Sequence, residues 1–330
     1  MQEIKREDLI AKAAQLLADG TVDRVIGWKK GEFDYDVTPA VFTSKEELES
    51  EFVWNDFCGA NFSKYLRKEA DKTESKVMAF LKPCDTYSFN QLLTEHKFDR
   101  EKVYVVGIPC NGMIDDSKIK ESANGISSVS EENGKVVVDT LYDGKITLER
   151  AEVLAERCAN CKSKKHAAYD ELLGEEGEVL DSARFDEVEK LEAMTADERF
   201  AFWQNELSRC IRCNACRNIC PACTCEKCVF DNPASGVENK AISDSFEEKM
   251  FHIIRAFHVA GRCTDCGECS RVCPQNIPLH LLNRKFIKDM NEFYGEYQAG
   301  AEVGSRAPIV DFTTEDIEPC DAVERGGENA

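Results

Sequence analysis

The sequence predicts an α/β domain with a partly parallel sheet, followed by a smaller, cysteine-rich α+β module with helical insertions. Three observations carry that reading. Two continuous apolar runs, Lys76–Leu81 (K-V-M-A-F-L) and Lys102–Ile108 (K-V-Y-V-V-G-I), flank a stretch of helical character over Thr86–His96. Buried strand, helix, buried strand is the pattern of a βαβ unit in a largely parallel sheet. Next, Lys135–Asp139 and Lys145–Leu148 flank Asp143-Gly144, a hairpin signal. Finally, the 17 cysteines are unevenly placed: none precedes Cys58, and eleven lie between Cys210 and Cys273.

The elements follow in order. Residues 3–18 read as an amphipathic helix, with Ile4, Leu9, Ile10, Leu16 and Leu17 at near-helical spacing and Gly20 as its stop. A short strand, Arg24–Trp28, comes next, then the βαβ unit and the hairpin, so residues 1–180 are expected to form the α/β domain. Residues 181–208 are charged and helical in pattern, a connector into the cysteine-rich module of 209–298. The loop Asn232-Pro233-Ala234-Ser235-Gly236 interrupts that module, and a helix over about 246–259 follows, carrying Met250, Phe251, Ile253, Ile254 and Phe257. Residues 299–330 are acidic and rich in Gly and Ala, the composition of an extended tail.

At 330 residues the chain is long enough for two domains and an ordinary core, so its cysteines are not needed as staples. A net charge of −20, from 42 basic and 62 acidic side chains, makes nucleic acid and anionic membrane surfaces poor partners. The charged start, Met1-Gln2-Glu3-Ile4-Lys5-Arg6-Glu7-Asp8, lacks the apolar core of a secretory signal. No stretch approaches the roughly 20 apolar residues of a membrane span. The chain is therefore expected in the cytoplasm, where thiols stay reduced and clustered cysteines are better explained as metal ligands than as disulfides.

Cys210, Cys213, Cys216 and Cys220 stand in C-I-R-C-N-A-C-R-N-I-C-P, and Cys263, Cys266, Cys269 and Cys273 in C-T-D-C-G-E-C-S-R-V-C-P. Both runs fit C-x₂-C-x₂-C-x₃-C-P, in which three cysteines wrap one [4Fe–4S] cubane and the fourth ligates the neighbouring cluster. The spacing therefore predicts a ferredoxin-like module with two clusters. One takes Cys210, Cys213, Cys216 and Cys273; the other takes Cys263, Cys266, Cys269 and Cys220. A pair of zinc sites is the competing reading, since C-x₂-C is also a zinc-ribbon element, but zinc requires neither a third C-x₂-C step nor two C-P pairs. Cys223, Cys225 and Cys228 follow at once in P-A-C-T-C-E-K-C. They are either accidental thiols or ligands of a further site whose fourth ligand the sequence does not reveal.

The first 180 residues hold five cysteines, four of which can be grouped. Cys84 follows the first apolar run in L-K-P-C-D, and Cys110 follows the second in G-I-P-C-N-G. Both stand where strands of an α/β sheet hand over to the next element, the edge at which such folds place ligands. Cys158 and Cys161 form a separate C-x₂-C in R-C-A-N-C-K. Together the four suffice for a third cluster; alternatively they are two buried thiols and an unrelated pair. Cys58 and Cys320 are left over as ordinary thiols. No G-x-G-x-x-G follows a strand, and no Walker sequence is present. The histidines His96, His166, His252, His258 and His280 are scattered without ligand spacing, and Trp28, Trp54, Tyr65 and Trp203 are expected to pack.

The run K-V-M-A-F-L-K-P-C-D through V-V-G-I-P-C-N-G, then R-C-A-N-C, resembles the β subunits of coenzyme F420-reducing hydrogenase and F420-linked formate dehydrogenase. C-N-A-C-R-N-I-C-P-A-C-T-C and A-G-R-C-T-D-C-G-E-C-S-R-V-C-P are also similar to sequences in the β subunit of cytoplasmic sulfhydrogenases and in one of the subunits of anaerobic sulfite reductase. The resemblance implies an electron-transferring subunit of an anaerobic complex, partnered by formate dehydrogenase, hydrogenase or heterodisulfide reductase-like subunits. It also implies that Cys84, Cys110, Cys158 and Cys161 hold a cluster. F420-type β subunits bind FAD in the α/β domain, whereas sulfhydrogenase-like relatives suggest a flavin-free reading, and no glycine-rich flavin segment occurs here. Three functions are therefore weighed: an electron relay without substrate chemistry, a flavoprotein that oxidises or reduces F420 or NAD(P)H and feeds the clusters, and an iron–sulfur redox sensor.

Overall fold

The fold is given by a computed structural model that describes residues 4–161, 165–177, 183–232 and 245–311. Its strands are β1 Arg24–Lys30, β2 Val37–Phe42, β3 Val77–Leu81, β4 Val103–Gly107, β5 Ile126–Glu132, β6 Lys135–Thr140, β7 Lys145–Glu149 and β8 Glu171–Leu172. They form a five-stranded sheet in the order β2-β1-β3-β4-β8 and a three-stranded sheet in the order β5-β6-β7. In the larger sheet β1, β3, β4 and β8 run parallel, and β2 returns antiparallel beside β1. This is the partly parallel sheet that the two apolar runs predict. β3 is buried at every position, as a central strand covered on both faces must be. The first helix, Arg6–Ala18, adds Leu9, Ile10, Ala13 and Leu16 to the same core.

The structure extends the sequence reading in several places. The helix after β3 begins at Pro83 and runs to Thr94, because proline suits the first helical position and the Asp85 carboxylate accepts the Lys82 backbone N–H at 3.2 Å. The connector is two helices, Asp186–Glu192 and Ala196–Ser208. They break where Thr195 and Glu198 cap each other's backbone N–H groups. Residues 299–311 pack onto the fold: Ala299 and Ala307 are buried, and the Gly304 N–H donates to Thr94 Oγ1 at 2.9 Å. Residues 312–330, with Cys320, and residues 233–236 of the interrupting loop lie outside the described residues. Among the described residues no helix is long and apolar enough to cross a membrane.

The cysteine-rich part gathers the helices Ala215–Ile219, Ser245–Val259, Glu268–Arg271 and Leu279–Tyr294 around a small core that includes Leu207, Phe230, Phe251, Ile277 and Leu279. Buried charges fasten it to the sheet domain. Arg157 donates to the Glu268 carboxylate and, at 2.8 Å, to the Cys266 carbonyl. Arg271 reaches the same carboxylate at 2.8 Å, and Arg284 reaches Glu156 at 2.7 Å. Burial alone pushes the Glu268 carboxyl up, but Arg271 and Arg157 more than offset it and hold it at about 2. Glu268→Ala strips two guanidinium groups of their counter-charge and should cost about 3–5 kcal/mol, read as a lowered midpoint of denaturation. A loss below about 1 kcal/mol, the value of an exposed pair, would show that this network does not join the two parts.

Candidate metal centre

The two C-x₂-C-x₂-C loops fold alike. Arg212 and Asn214, on either side of Cys213, have φ of +52° and +61°; Asp265 and Gly267, on either side of Cys266, have +58° and +66°. A short helix starts at the same point after each pair, at Ala215 and at Glu268. Alternating left-handed and ordinary backbone turns successive N–H groups toward one point, the concavity that binds anions at many iron–sulfur sites. Gly267 is required for a second reason, since a Cβ there would stand 2.7 Å from the Arg157 side chain.

The fourth cysteine of each run crosses over. Cys210, Cys213 and Cys216 line one cavity together with Cys273. Cys220 instead faces the other loop, where its charge bears on Cys263, Cys266 and Cys269. The chain also supplies hydrogen bonds to sulfur. The Arg212 N–H donates to Cys210 Sγ at 3.4 Å, and Asn283 Nδ2 donates to Cys269 Sγ at 3.9 Å. His252 Nε2 lies 3.2 Å from Cys210 Sγ.

The second gathering stands at the edge of the sheet. Register pairs Leu81 of β3 with Gly107 of β4, so Cys84 and Cys110 leave the sheet at equal offsets along neighbouring strands. The Ala155 N–H bonds the Met113 carbonyl at 2.9 Å, which draws the turn Glu156–Ala159 alongside. The Met113 N–H then donates to Cys158 Sγ at 3.3 Å. Gly112, at φ +89°, permits this approach, because a Cβ would meet Leu154 at 3.0 Å and Cys158 at 3.3 Å. Cys84, Cys110, Cys158 and Cys161 line one cavity, and Thr264, Asp265 and Cys266 complete its wall. His166 ties the two strand ends together, its Nε2 3.1 Å from the carbonyls of both Leu81 and Ile108.

The remaining thiols are placed differently. Cys223, Cys225 and Cys228 line an open groove with His258, among Lys64, Arg67, Arg217 and Arg262. A hydrogen bond from the Cys223 thiol, with help from Arg255 and Lys64, draws the Cys220 thiol well below its usual range. Cys58 is a core residue whose thiol burial pushes up to about 12.

Sequence spacing alone passes over His252 and Arg255. Both lie on the buried stripe of the helix Ser245–Val259 with Phe251, Ala256 and Val259, and polar residues on an apolar stripe were the available signal. Burial first, then the charges of Arg255 and Arg212, keep the His252 imidazole neutral, with a pKa of about 3. Arg255 is 4% exposed; its Nη2 donates to the Cys216 carbonyl at 2.9 Å, and among the described residues its Nε has no partner. Among the described residues no carboxylate pairs with it, and the charges facing it are those of Cys220, Cys269, Cys216 and Cys223. A buried guanidinium without counter-charge costs several kcal/mol, so the site suits an anionic occupant held by those sulfurs. The residues fit clusters.

Residues 206–277 match the family model of the 4Fe-4S dicluster domain. The chain is 25% identical over 334 positions to F420-dependent formate dehydrogenase subunit beta of Methanocaldococcus jannaschii, covering 83% of this chain and 86% of that protein. It is 24% identical to F420-dependent formate dehydrogenase 1 subunit beta of Methanococcus maripaludis, covering 83% and 87%. Among solved structures, a chain of the xenon-derivatised F420-reducing [NiFe] hydrogenase complex from Methanosarcina barkeri matches with a TM-score of 0.35 at 15% identity. That match spans 46% of this chain and 58% of the hydrogenase chain, less than two thirds of its length. The chain is thus similar over most of its length to β subunits of F420-dependent formate dehydrogenases, and its residues 206–277 match a 4Fe-4S dicluster domain.

Proposed function

We propose that the chain is the iron–sulfur electron-transfer subunit of an oxidoreductase complex, without substrate chemistry of its own. The observation that supports this reading is the match of residues 206–277 to a dicluster domain, within which Cys273 lines the cavity of Cys210, Cys213 and Cys216. Cys210, Cys213, Cys216 and Cys273 would hold one [4Fe–4S] cluster; Cys263, Cys266, Cys269 and Cys220 the second; Cys84, Cys110, Cys158 and Cys161 a third. When bound, such clusters take up and release single electrons. On this reading residues 1–180 form the α/β domain with the third site, 181–208 the connector and 209–298 the two-cluster module; of the tail expected over 299–330, residues 299–311 are packed against the fold.

The chain's own residues set the order of the sites. Thr264, Asp265 and Cys266 belong to the second site's loop and also wall the cavity of Cys84, Cys110, Cys158 and Cys161, so one loop separates the two. Arg157 precedes Cys158 and binds the Cys266 carbonyl, which fixes that spacing. Phe251, Ile277 and Leu279 keep water from the first site's inner side, while Cys213 is exposed on its outer side, where a partner can approach. The partner is a redox subunit of formate dehydrogenase type, as the relatives' names suggest, or of the hydrogenase or heterodisulfide reductase type that the sequence resemblance implies.

Anaerobically purified chain should contain about 12 iron and about 12 acid-labile sulfide, four of each per cluster. Stoichiometric zinc without sulfide would overturn the reading. Iron near 16 would assign a further cluster to the groove of Cys223, Cys225 and Cys228. Co-purified flavin would support the alternative subunit that exchanges electrons with F420 or NAD(P)H. Cys110→Ala should keep about 8 iron, all reducible by dithionite, yet abolish electron transfer from the physiological donor in the assembled complex. Unchanged turnover in that variant would take the third site off the path.

A further inference from the structure

We propose that the helix Ser245–Val259 sets the reduction potentials of the module, with Arg255 acting on both clusters and His252 only on the one at Cys210. The inference rests on the proposed function. Arg255 stands apart from the other buried arginines. Arg184 and Arg284 both pair with Asp265, at 2.7 Å and 3.1 Å, whereas among the described residues Arg255 binds the Cys216 carbonyl and no carboxylate. Its guanidinium faces Cys216 of the first site and Cys220 and Cys269 of the second. An added electron makes either site more negative, and an unneutralised cation in a buried, weakly screening position favours that added charge. Arg255 therefore raises both potentials.

His252 lies one helical turn earlier on the same face. A ligating Cys210 sulfur carries no proton, so the imidazole must donate from Nε2 across the 3.2 Å contact. Hydrogen bonds to the sulfurs are one of the protein's means of setting cluster potentials. Among the described residues Nδ1 has no partner, so no second bond fixes the ring and the contact to Cys210 is its polar anchor. Neither side chain is a ligand; both are positioning residues for charge.

The test uses the full chain, purified anaerobically, with iron and sulfide counted before a dithionite redox titration followed by electron paramagnetic resonance. Arg255→Gln should lower both module potentials by at least tenfold in the reduction constant, 59 mV for one electron. Arg255→Lys, which keeps the charge, should stay near wild type. His252→Phe should lower one potential and leave the other. Unchanged potentials in fully loaded Arg255→Gln would overturn the inference and leave the proposed function standing. So would cluster loss in both the Gln and Lys variants, because Arg255 would then be a requirement of shape. Wild-type chain without iron and sulfide would overturn the proposed function itself.

Discussion

Everything in the C-terminal part depends on two like-folded loops; on the proposed assignment each gathers three thiols and lends the fourth to the other, so that neither is complete alone. Cys220 leaves the first run to stand against Cys263, Cys266 and Cys269, and Cys273 returns to the cavity of Cys210, Cys213 and Cys216. Because metal binding to such sets is coupled to folding, occupancy of one site stabilises the other. The helices around them are short, and their apolar core is small. A module of this kind takes much of its rigidity from the crossing itself.

Charge does the complementary work. The chain is acidic overall, yet the thiols are surrounded by guanidinium groups: Arg255 between the two sites, Arg157 beside Cys158 and Cys266. Most of these cations are neutralised by carboxylates: Glu268, through Arg157, joins the module to the sheet domain, and Asp265, through Arg184, joins it to the connector. One consequence is that the third group of cysteines, carried by the ends of β3 and β4, does not float relative to the module. The same arginines that anchor the loop of Cys266 hold the turn of Cys158, so packing and site geometry are fixed together.

Much of this was legible in the residues. The runs K-V-M-A-F-L and K-V-Y-V-V-G-I became adjacent parallel strands because nothing but a buried central position suits them. The equal offset of Pro-Cys after each run placed Cys84 and Cys110 side by side. The spacing of C-x₂-C-x₂-C-x₃-C-P agrees with Cys273 lining the cavity of Cys210, Cys213 and Cys216. What stayed hidden was set by tertiary context. β8 has only two residues, β2 contains Pro39, and neither has a periodic signal of its own. His252 and Arg255 were invisible to ligand spacing because they are not ligands; their role follows from which face of their helix is buried. The helix Leu279–Tyr294 has no counterpart in that reading, although its buried Leu279, Asn283, Ile287 and Met290 follow helical spacing.

The central claim is that two interlocked sites lie side by side, with a third one loop away. Magnetic coupling between reduced clusters tests it most directly. In fully reduced, fully loaded chain the account predicts a broadened, interacting electron paramagnetic resonance spectrum that becomes simpler when Cys213→Ser removes one of the interlocked pair. Sharp, independent signals from every cluster in the loaded wild-type chain would contradict it.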